Sequence, residues 1–139
     1  MDLCEHSALE LNRLLRLKQV SAVEIAQACL ARICTVDGRP GALDASELTD
    51  EDRSKVHAFI SLTEELALQQ AAIVDRKLGE GENPGPLAGV PFTVKDIFCV
   101  NNTYSTAASR ILANFKAPYT ATPVQRMLDA GALMLGKVN

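Results

Sequence analysis

The stretch Gly89-Val90-Pro91-Phe92-Thr93-Val94-Lys95-Asp96 is the centre around which the rest of the chain is organised. Its apolar residues alternate with polar ones, and successive side chains on a strand point to opposite faces. The stretch therefore predicts a short strand on which Lys95 shares a face with Thr93. Pro91 has no N–H to donate, which favours the start of a strand or an edge strand. Taken alone, these residues favour a solvated surface lysine, since lysine is rarely buried.

The sequence after this stretch predicts a return to the same sheet. Residues 122–131 have a capping threonine, a proline at the first helical position and a terminal glycine, which predict a helix. Residues 132–135 are a continuous apolar run of the kind that forms a strand buried on both faces. A strand, a crossover helix and a strand make a parallel βαβ unit, which is right-handed by rule. The predicted fold class is therefore α/β.

The first 55 residues read as helical scaffold followed by an insertion. The Ser-x-x-Glu patterns at Ser7–Glu10 and Ser21–Glu24 are capping boxes, and each opens an amphipathic pattern. They predict a helical hairpin over residues 1–36. Residues 37–55 are polar and contain Gly and Pro, which is typical of a surface insertion. Residues 56–139 then form the predicted strand-helix-strand core.

Within that core, residues 56–62 are a strand candidate and Thr63 is placed to cap a helix over residues 64–78. The predicted buried side of that helix consists of Leu66, Ile73, Leu78 and several alanines. Residues 105–115 predict a short helix, with its large apolar side chains facing inward. These are Ile111, Leu112 and Phe115.

The amino-acid composition and net charge limit the classes of function that this chain can have. The 139 residues are 47% hydrophobic and 22% charged, which suits one globular unit, and only 4% are aromatic, so the core is mostly aliphatic. A net charge of −3 gives no support for direct binding to nucleic acid or an anionic membrane. No apolar run reaches the roughly 18 residues of a spanning helix. The N-terminal residues have no signal or transit character, and a cytoplasmic location is the expectation.

The thiols and imidazoles do not form a recognisable metal pattern. The four cysteines, Cys4, Cys29, Cys34 and Cys99, lack CxxC spacing, and neither histidine, His6 or His57, complements them. We expect reduced and mostly buried cysteines and no metal site. His57 could be a general base, but a histidine at the edge of the sheet is the favoured interpretation, because no positioned nucleophile accompanies it.

Four segments together resemble the amidase signature family, and the resemblance is specific from Gly85 to Asn139. The matching segments, in order and spacing, are 86–97 around Lys95-Asp96, 106–115, 117–122, and 130–139 with its Gly-Lys-x-Asn step. Val138 departs from the threonine that the family commonly has there, and the insertion at 37–55 is a second departure. The resemblance implies that residues 1–139 are the N-terminal portion of one amidase domain, with an incomplete mixed β-sheet flanked by helices.

The resemblance implies that Lys95 is catalytic. In the family a serine nucleophile is linked by a second serine, on a cis peptide, to a lysine that is the ultimate base. A lysine works as a base only when its pKa falls, so Lys95 is expected to be dry and largely uncharged. Asp96 should point to the other strand face and is interpreted as structural. Both family serines lie in a Gly/Ser-rich segment that this sequence lacks; Ser105 and Ser109 follow Lys95, but capping and local packing are the favoured roles for both.

Within the family, the resemblance is to the A subunits of glutamyl-tRNA(Gln)/aspartyl-tRNA(Asn) amidotransferases. It implies hydrolysis of glutamine to supply ammonia, B-type and C-type partner subunits, and tRNA contact only through a partner. It implies no cofactor or metal in this chain, while the complete complex would use ATP and Mg. Two alternatives stay open: a stand-alone amidase acting on small amides, and an inactive truncated interaction module. We expect the 139-residue chain alone to be inactive and poorly stable as a monomer, with sheet edges and apolar faces left open at its final strand.

Overall fold

A three-stranded mixed sheet carries the chain's main elements. The computed structural model describes residues 2–41, 46 and 48–139. The elements of the described residues are α1 (Ala8–Arg16), α2 (Ala22–Val36), α3 (Asp50–Arg53), β1 (Phe59–Leu62), α4 (Glu64–Gly79), β2 (Pro91–Lys95), α5 (Thr122–Asp129) and β3 (Leu133–Val138), with 3₁₀ turns at Leu3–Glu5 and Arg110–Leu112. This confirms the predicted α/β class and mixed sheet.

The last strand, β3, is the central one. The strand order is β1-β3-β2, with β3 parallel to β2 and antiparallel to β1. Residues Leu133–Lys137 are all buried, which confirms the apolar run as a strand covered on both faces. The sheet edges are thus β1 and β2, and the expectation that the final strand would leave an open edge is wrong. Pro91 opens edge strand β2, where its missing donor is tolerated.

A bulge in β3 sets which side chains share a face. Phe92 pairs with Met134 but Thr93 pairs with Gly136, so Leu135 is an extra residue on β3. Because the extra residue reverses the alternation, residues of β3 after the bulge change face relative to those before it.

Helix α4 satisfies the backbone groups near the bulge. The Met134 amide donates to Gln70 Oε1 at 2.9 Å, and the Thr63 hydroxyl donates to the Met134 carbonyl at 2.9 Å. Thr63 does occupy the position before α4, but it makes no side-chain cap, because its hydroxyl is engaged by the strand. The predicted capping role is therefore wrong.

The main core lies between α1, α2, α4 and the sheet. The buried residues of α4 are Ala67, Ala71 and Val74, whereas Ile73 is exposed. Buried alanines are thus confirmed, and Leu66 and Leu78 are half-buried against the core. The prediction for Ile73 alone is wrong, because the buried stripe passes through Val74 instead. The capping boxes at Ser7 and Ser21 are both formed, as predicted.

The described part of the predicted insertion is tied to the sheet. Residues 42–45 and 47 of that insertion lie outside the described residues. The buried Asp37 carboxylate accepts hydrogen bonds from the Ala58 and Phe59 amides, at 2.6 and 3.1 Å. His57 has a left-handed backbone (φ 53°), which is incompatible with an extended strand, so β1 begins at Phe59 rather than at residue 56.

Two further local predictions need correction. The segment 105–115 forms only a 3₁₀ turn, and Ile111 is 94% exposed rather than inward-facing. Left-handed conformations at Ala107 and Ala108 interrupt the chain before the turn. Helix α5 begins at Thr122 itself, with Ala121 as its N-cap and no side-chain cap.

No helix in the described part of the chain has the length and apolar character needed to cross a membrane. All four cysteines are free thiols, but only Cys29 is buried and Cys34 is exposed. The expectation of mostly buried cysteines is therefore wrong in part, because the stripe that buries Cys29 on α2 does not extend to Cys34.

Candidate functional site

Lys95 is the last residue of β2 and is exposed in this chain. It shares its face with Thr93, as predicted, and Thr93 is also exposed. Among the described residues, the Lys95 amine has no hydrogen-bond or ion-pair partner. The expectation of a dry amine is therefore not met by the residues that the structure describes, and the catalytic role of Lys95 stays a prediction.

Asp96 follows Lys95 directly but lies in a different environment. It is 2% exposed, and its Oδ2 accepts hydrogen bonds from the Thr106 amide at 3.0 Å and from the Thr106 hydroxyl. Its Oδ1 lies 3.6 Å from the Lys137 amine. The predicted structural role of Asp96 fits these contacts, which hold the carboxylate away from the face of Lys95.

Lys137, on the central strand, is the fully buried lysine of the described residues. Its Nζ donates to the Phe98 carbonyl at 2.6 Å and to Ser105 Oγ at 2.8 Å, in addition to its ion pair with Asp96. Burial lowers the pKa of Lys137, and the negative charge of Asp96 acts against that shift. Three partners therefore occupy the amine.

The contact between Ser105 and Lys137 has the spacing of a serine nucleophile and its lysine base. Ser105 is only 5% exposed, and its hydroxyl donates to the Phe98 carbonyl at 3.3 Å. A nucleophile must be reached by its substrate and must pass its proton to the base. Since this hydroxyl is buried and directs its proton to a carbonyl, the pair is a packing contact, in line with the favoured interpretation of Ser105.

The other candidate side chains lie away from this cluster. Ser109 precedes the 3₁₀ turn without a side-chain cap. His57 Nε2 lies 2.6 Å from the Asp52 carbonyl, next to α3, and contacts no nucleophile among the described residues. Its favoured non-catalytic interpretation is unchanged.

Sequence reasoning overlooked Lys137, which entered only as part of a Gly-Lys match. The signal was available: Lys137 lies two residues after the apolar run Ala132–Leu135, which predicts a strand buried on both faces. If the strand continues to Lys137, its amine is buried too and needs an acidic partner.

Comparison with known proteins gives consistent matches. A family model described as Amidase matches residues 45–139. The glutamyl-tRNA(Gln) amidotransferase subunits A of Carboxydothermus hydrogenoformans and Thermobifida fusca are 38% and 41% identical, over 100% and 99% of this chain. The aligned parts are 25% and 24% of those proteins, so the chain spans about a quarter of their length.

The fold is also similar to that of a solved amidase structure. The peptide amidase of Stenotrophomonas maltophilia superposes with a TM-score of 0.80 at 30% identity. The superposition covers 97% of this chain and 25% of that one.

Proposed function

Because this chain belongs to the amidase family, we propose that it forms the N-terminal part of a glutamine-hydrolysing amidase domain in which Lys95 is the general base. The observation that carries the proposal is the match of the entire chain to the subunits A at about 40% identity. The lysine-bearing strand lies inside the matched region. The predicted resemblance to the amidase signature family is confirmed at the level of the family.

The proposed chemistry requires hydroxyl groups that the rest of the polypeptide would supply. A serine hydroxyl attacks the glutamine side-chain amide, and its proton passes through a second serine to neutral Lys95. The resulting Lys95 ammonium then returns the proton to the leaving nitrogen, which departs as ammonia and leaves an acyl-serine. Water hydrolyses that ester and releases glutamate. The ammonia would pass to a partner subunit that amidates Glu-tRNA(Gln) or Asp-tRNA(Asn).

The surroundings of Lys95 support this role. Thr93 and Lys95 on this face are both exposed among the described residues, so further chain would be able to cover the amine and bring the serines to it. Asp96, the neighbouring acid in sequence, is engaged on the other side by Thr106 and Lys137. Covering the amine without adding a carboxylate would lower its pKa, as a lysine base requires. B-type and C-type partner subunits, with ATP and Mg in the complete complex, are part of the same proposal.

A chimera tests the proposal. This chain replaces the aligned quarter of the Carboxydothermus subunit, the product is purified with the partner subunits of that organism, and ammonia release from glutamine is measured. We expect Lys95→Ala to reduce the rate by about 10²- to 10⁴-fold, the usual contribution of a general base. The matched control is Lys116→Ala, which removes an exposed lysine next to Tyr104 and should leave the rate unchanged.

Full activity of the Lys95→Ala chimera would overturn the assignment. The 139-residue chain alone is expected to release no ammonia, because it holds one member of the proposed triad. The stand-alone amidase is the second candidate, favoured by the likeness to the peptide amidase. It predicts hydrolysis of small amides by the chimera without partner subunits, whereas the interaction module predicts no hydrolysis in any arrangement.

A further inference from the structure

Lys95 and Asp96 are adjacent in sequence, which is a difficulty for a lysine base. A carboxylate close to an amine favours the ammonium form, and an ammonium cannot accept a proton. A catalytic Lys-Asp pair therefore needs a device that keeps the carboxylate from acting as counter-ion to the lysine.

The register of the sheet separates the two side chains. Val94 pairs with Lys137 and Lys95 pairs with Val138, in parallel strands whose paired residues share a face. Lys137 therefore lies on the face of Val94 and Asp96, and Lys95 lies on the opposite face. The bulge at Leu135 is what turns Lys137 to that side, since it reverses the alternation along β3.

We propose that Lys137 is a positioning residue: it holds the Asp96 carboxylate on one face of the sheet, so that Lys95 on the other face has no counter-ion. The inference rests on the proposed role of Lys95 as the base. The contacts that carry it are the 3.6 Å ion pair between Lys137 and Asp96 and the bond from Lys137 to Ser105. Thr106 holds the second carboxylate oxygen, so both oxygens of Asp96 are directed away from Lys95.

Few charges surround the two amines. The ionisable groups acting on Lys137 are Asp96 and Cys99, while Ser105 and the Phe98 carbonyl are neutral. Within the described residues, Lys95 has no charged partner. A change in the charge balance between Asp96 and Lys137 should therefore register at Lys95.

The test is the pKa of Lys95 in the 139-residue chain, followed through its ¹³Cε and ¹⁵Nζ signals by NMR. The charge-removing variant is Lys137→Gln, which keeps a donor for Phe98 and Ser105. The control is the double variant Lys137→Gln with Asp96→Asn. All chains carry Cys99→Ala, because a thiol would titrate in the same pH range. Lysine titrates near pH 10, where a carboxylate is ionised but Lys137, whose pKa is lowered by burial, loses its charge. The reference chain is therefore Lys137→Arg, whose guanidinium stays charged at that pH.

Relative to Lys137→Arg, we expect Lys137→Gln to raise the pKa of Lys95, because it removes a positive charge and leaves the Asp96 carboxylate without its counter-ion. The double variant should return it to the starting value. An unchanged Lys95 pKa in folded Lys137→Gln would show that Lys137 only fills the core and would overturn the proposal. A rise that persists in the double variant would also overturn it, because the rise would not come from Asp96.

If Lys137→Gln does not fold in the short chain, the same variants are made in the chimera, where more of the protein supports the fold. The pH dependence of kcat/KM for ammonia release is then measured. The proposal expects the acid limb of Lys137→Gln to move to higher pH and that of the double variant to move back, whereas an unmoved limb overturns it. If the chimera without further substitutions is inactive but the NMR shift is present, the proposed function is wrong and the positioning effect stands. If that chimera is active but the NMR shift is absent, only the positioning effect is wrong.

Discussion

Asp75 connects two helices through backbone amides, and its removal gives a stability prediction that can be worked from distances. The carboxylate, on α4, accepts hydrogen bonds from the Ala22 amide at 2.7 Å and the Val23 amide at 3.1 Å, at the start of α2. The Ser21 hydroxyl caps the amide of Glu24, the residue that follows Val23. Asp75 therefore supplies acceptors for amides that α2 itself cannot satisfy.

The magnitude follows from the two bonds and the helix dipole. A hydrogen bond to a charged group contributes about 1.5–3 kcal/mol, and a negative charge at a helix start adds about 0.3–1 kcal/mol. Ala22 is fully buried, but Val23 and Asp75 are only partly buried, so water replaces some of the lost bonding. We expect Asp75→Ala to lower the free energy of unfolding by about 2–4 kcal/mol, a large share of the roughly 5–15 kcal/mol of an ordinary domain. Asp75→Asn, which keeps one acceptor oxygen, should lose about half as much.

The measurement is urea unfolding followed by far-UV circular dichroism, with the midpoint and the m-value fitted together. The matched control is Glu80→Ala, which removes a carboxylate on the C-terminal side of α4 whose partner is the exposed Arg76, at 2.9 Å. Exposed pairs contribute about 0–1 kcal/mol, so this variant should stay close to the parent. If Asp75→Ala unfolds at the same urea concentration as Glu80→Ala, α2 does not depend on α4 for its first turn, and the reasoning is refuted.

Two further predictions concern single positions. Gly131 has φ +87°, and an added Cβ would lie 2.4 Å from the Pro84 carbonyl oxygen. Gly131→Ala should therefore lower the free energy of unfolding by about 2 kcal/mol or more. The control is Gly79→Ala, which should not destabilise the chain because a Cβ there would meet no atom within 4 Å. The pKa of Asp52 is lowered by its hydrogen bonds to Arg39 and Thr49, so its stabilising effect is present above its unfolded pKa of about 3.9 and is lost as the pH falls further. The difference in unfolding midpoint between the parent and Asp52→Asn should therefore be constant from about pH 7 to pH 5 and should narrow below about pH 4; a difference that persists unchanged at pH 3 would contradict this.

The parts of the fold that depend on nearby residues were predictable. The capping boxes at Ser7 and Ser21 need only an acid three residues later, and both form. Thr63 failed for a reason that no local pattern contains, since its hydroxyl is bound by a strand 71 residues away in sequence. The prediction for Ile73 was wrong because the buried stripe of α4 runs through Ala67, Ala71 and Val74, and the pattern of this helix did not distinguish Val74 from Ile73.

The segment after β2 shows a different limit of prediction from sequence. Ile111 and Phe115 were predicted to face inward because large apolar side chains usually do, but both are exposed, at 94% and 43%. A sequence pattern reports that a side chain is apolar, and it does not report whether the covering surface belongs to the same 139 residues. Lys95 shows the same limit: the pattern placed it on the correct face of β2, but the described residues do not cover its amine.

The structure also sharpens the choice between two lysines. Lys137 has the features usually sought in a lysine base, namely complete burial, a lowered pKa and a serine at 2.8 Å. Yet its amine is already bound to Phe98, Ser105 and Asp96, and no substrate could reach it without breaking the core. Lys95 is exposed at the end of β2, and its amine has no partner among the described residues. A base must exchange protons with a group that arrives from outside, so the accessible amine of Lys95 suits that role better than the enclosed amine of Lys137. We expect Lys95→Ala to lose activity while keeping the fold, and a fully active Lys95→Ala would refute this choice.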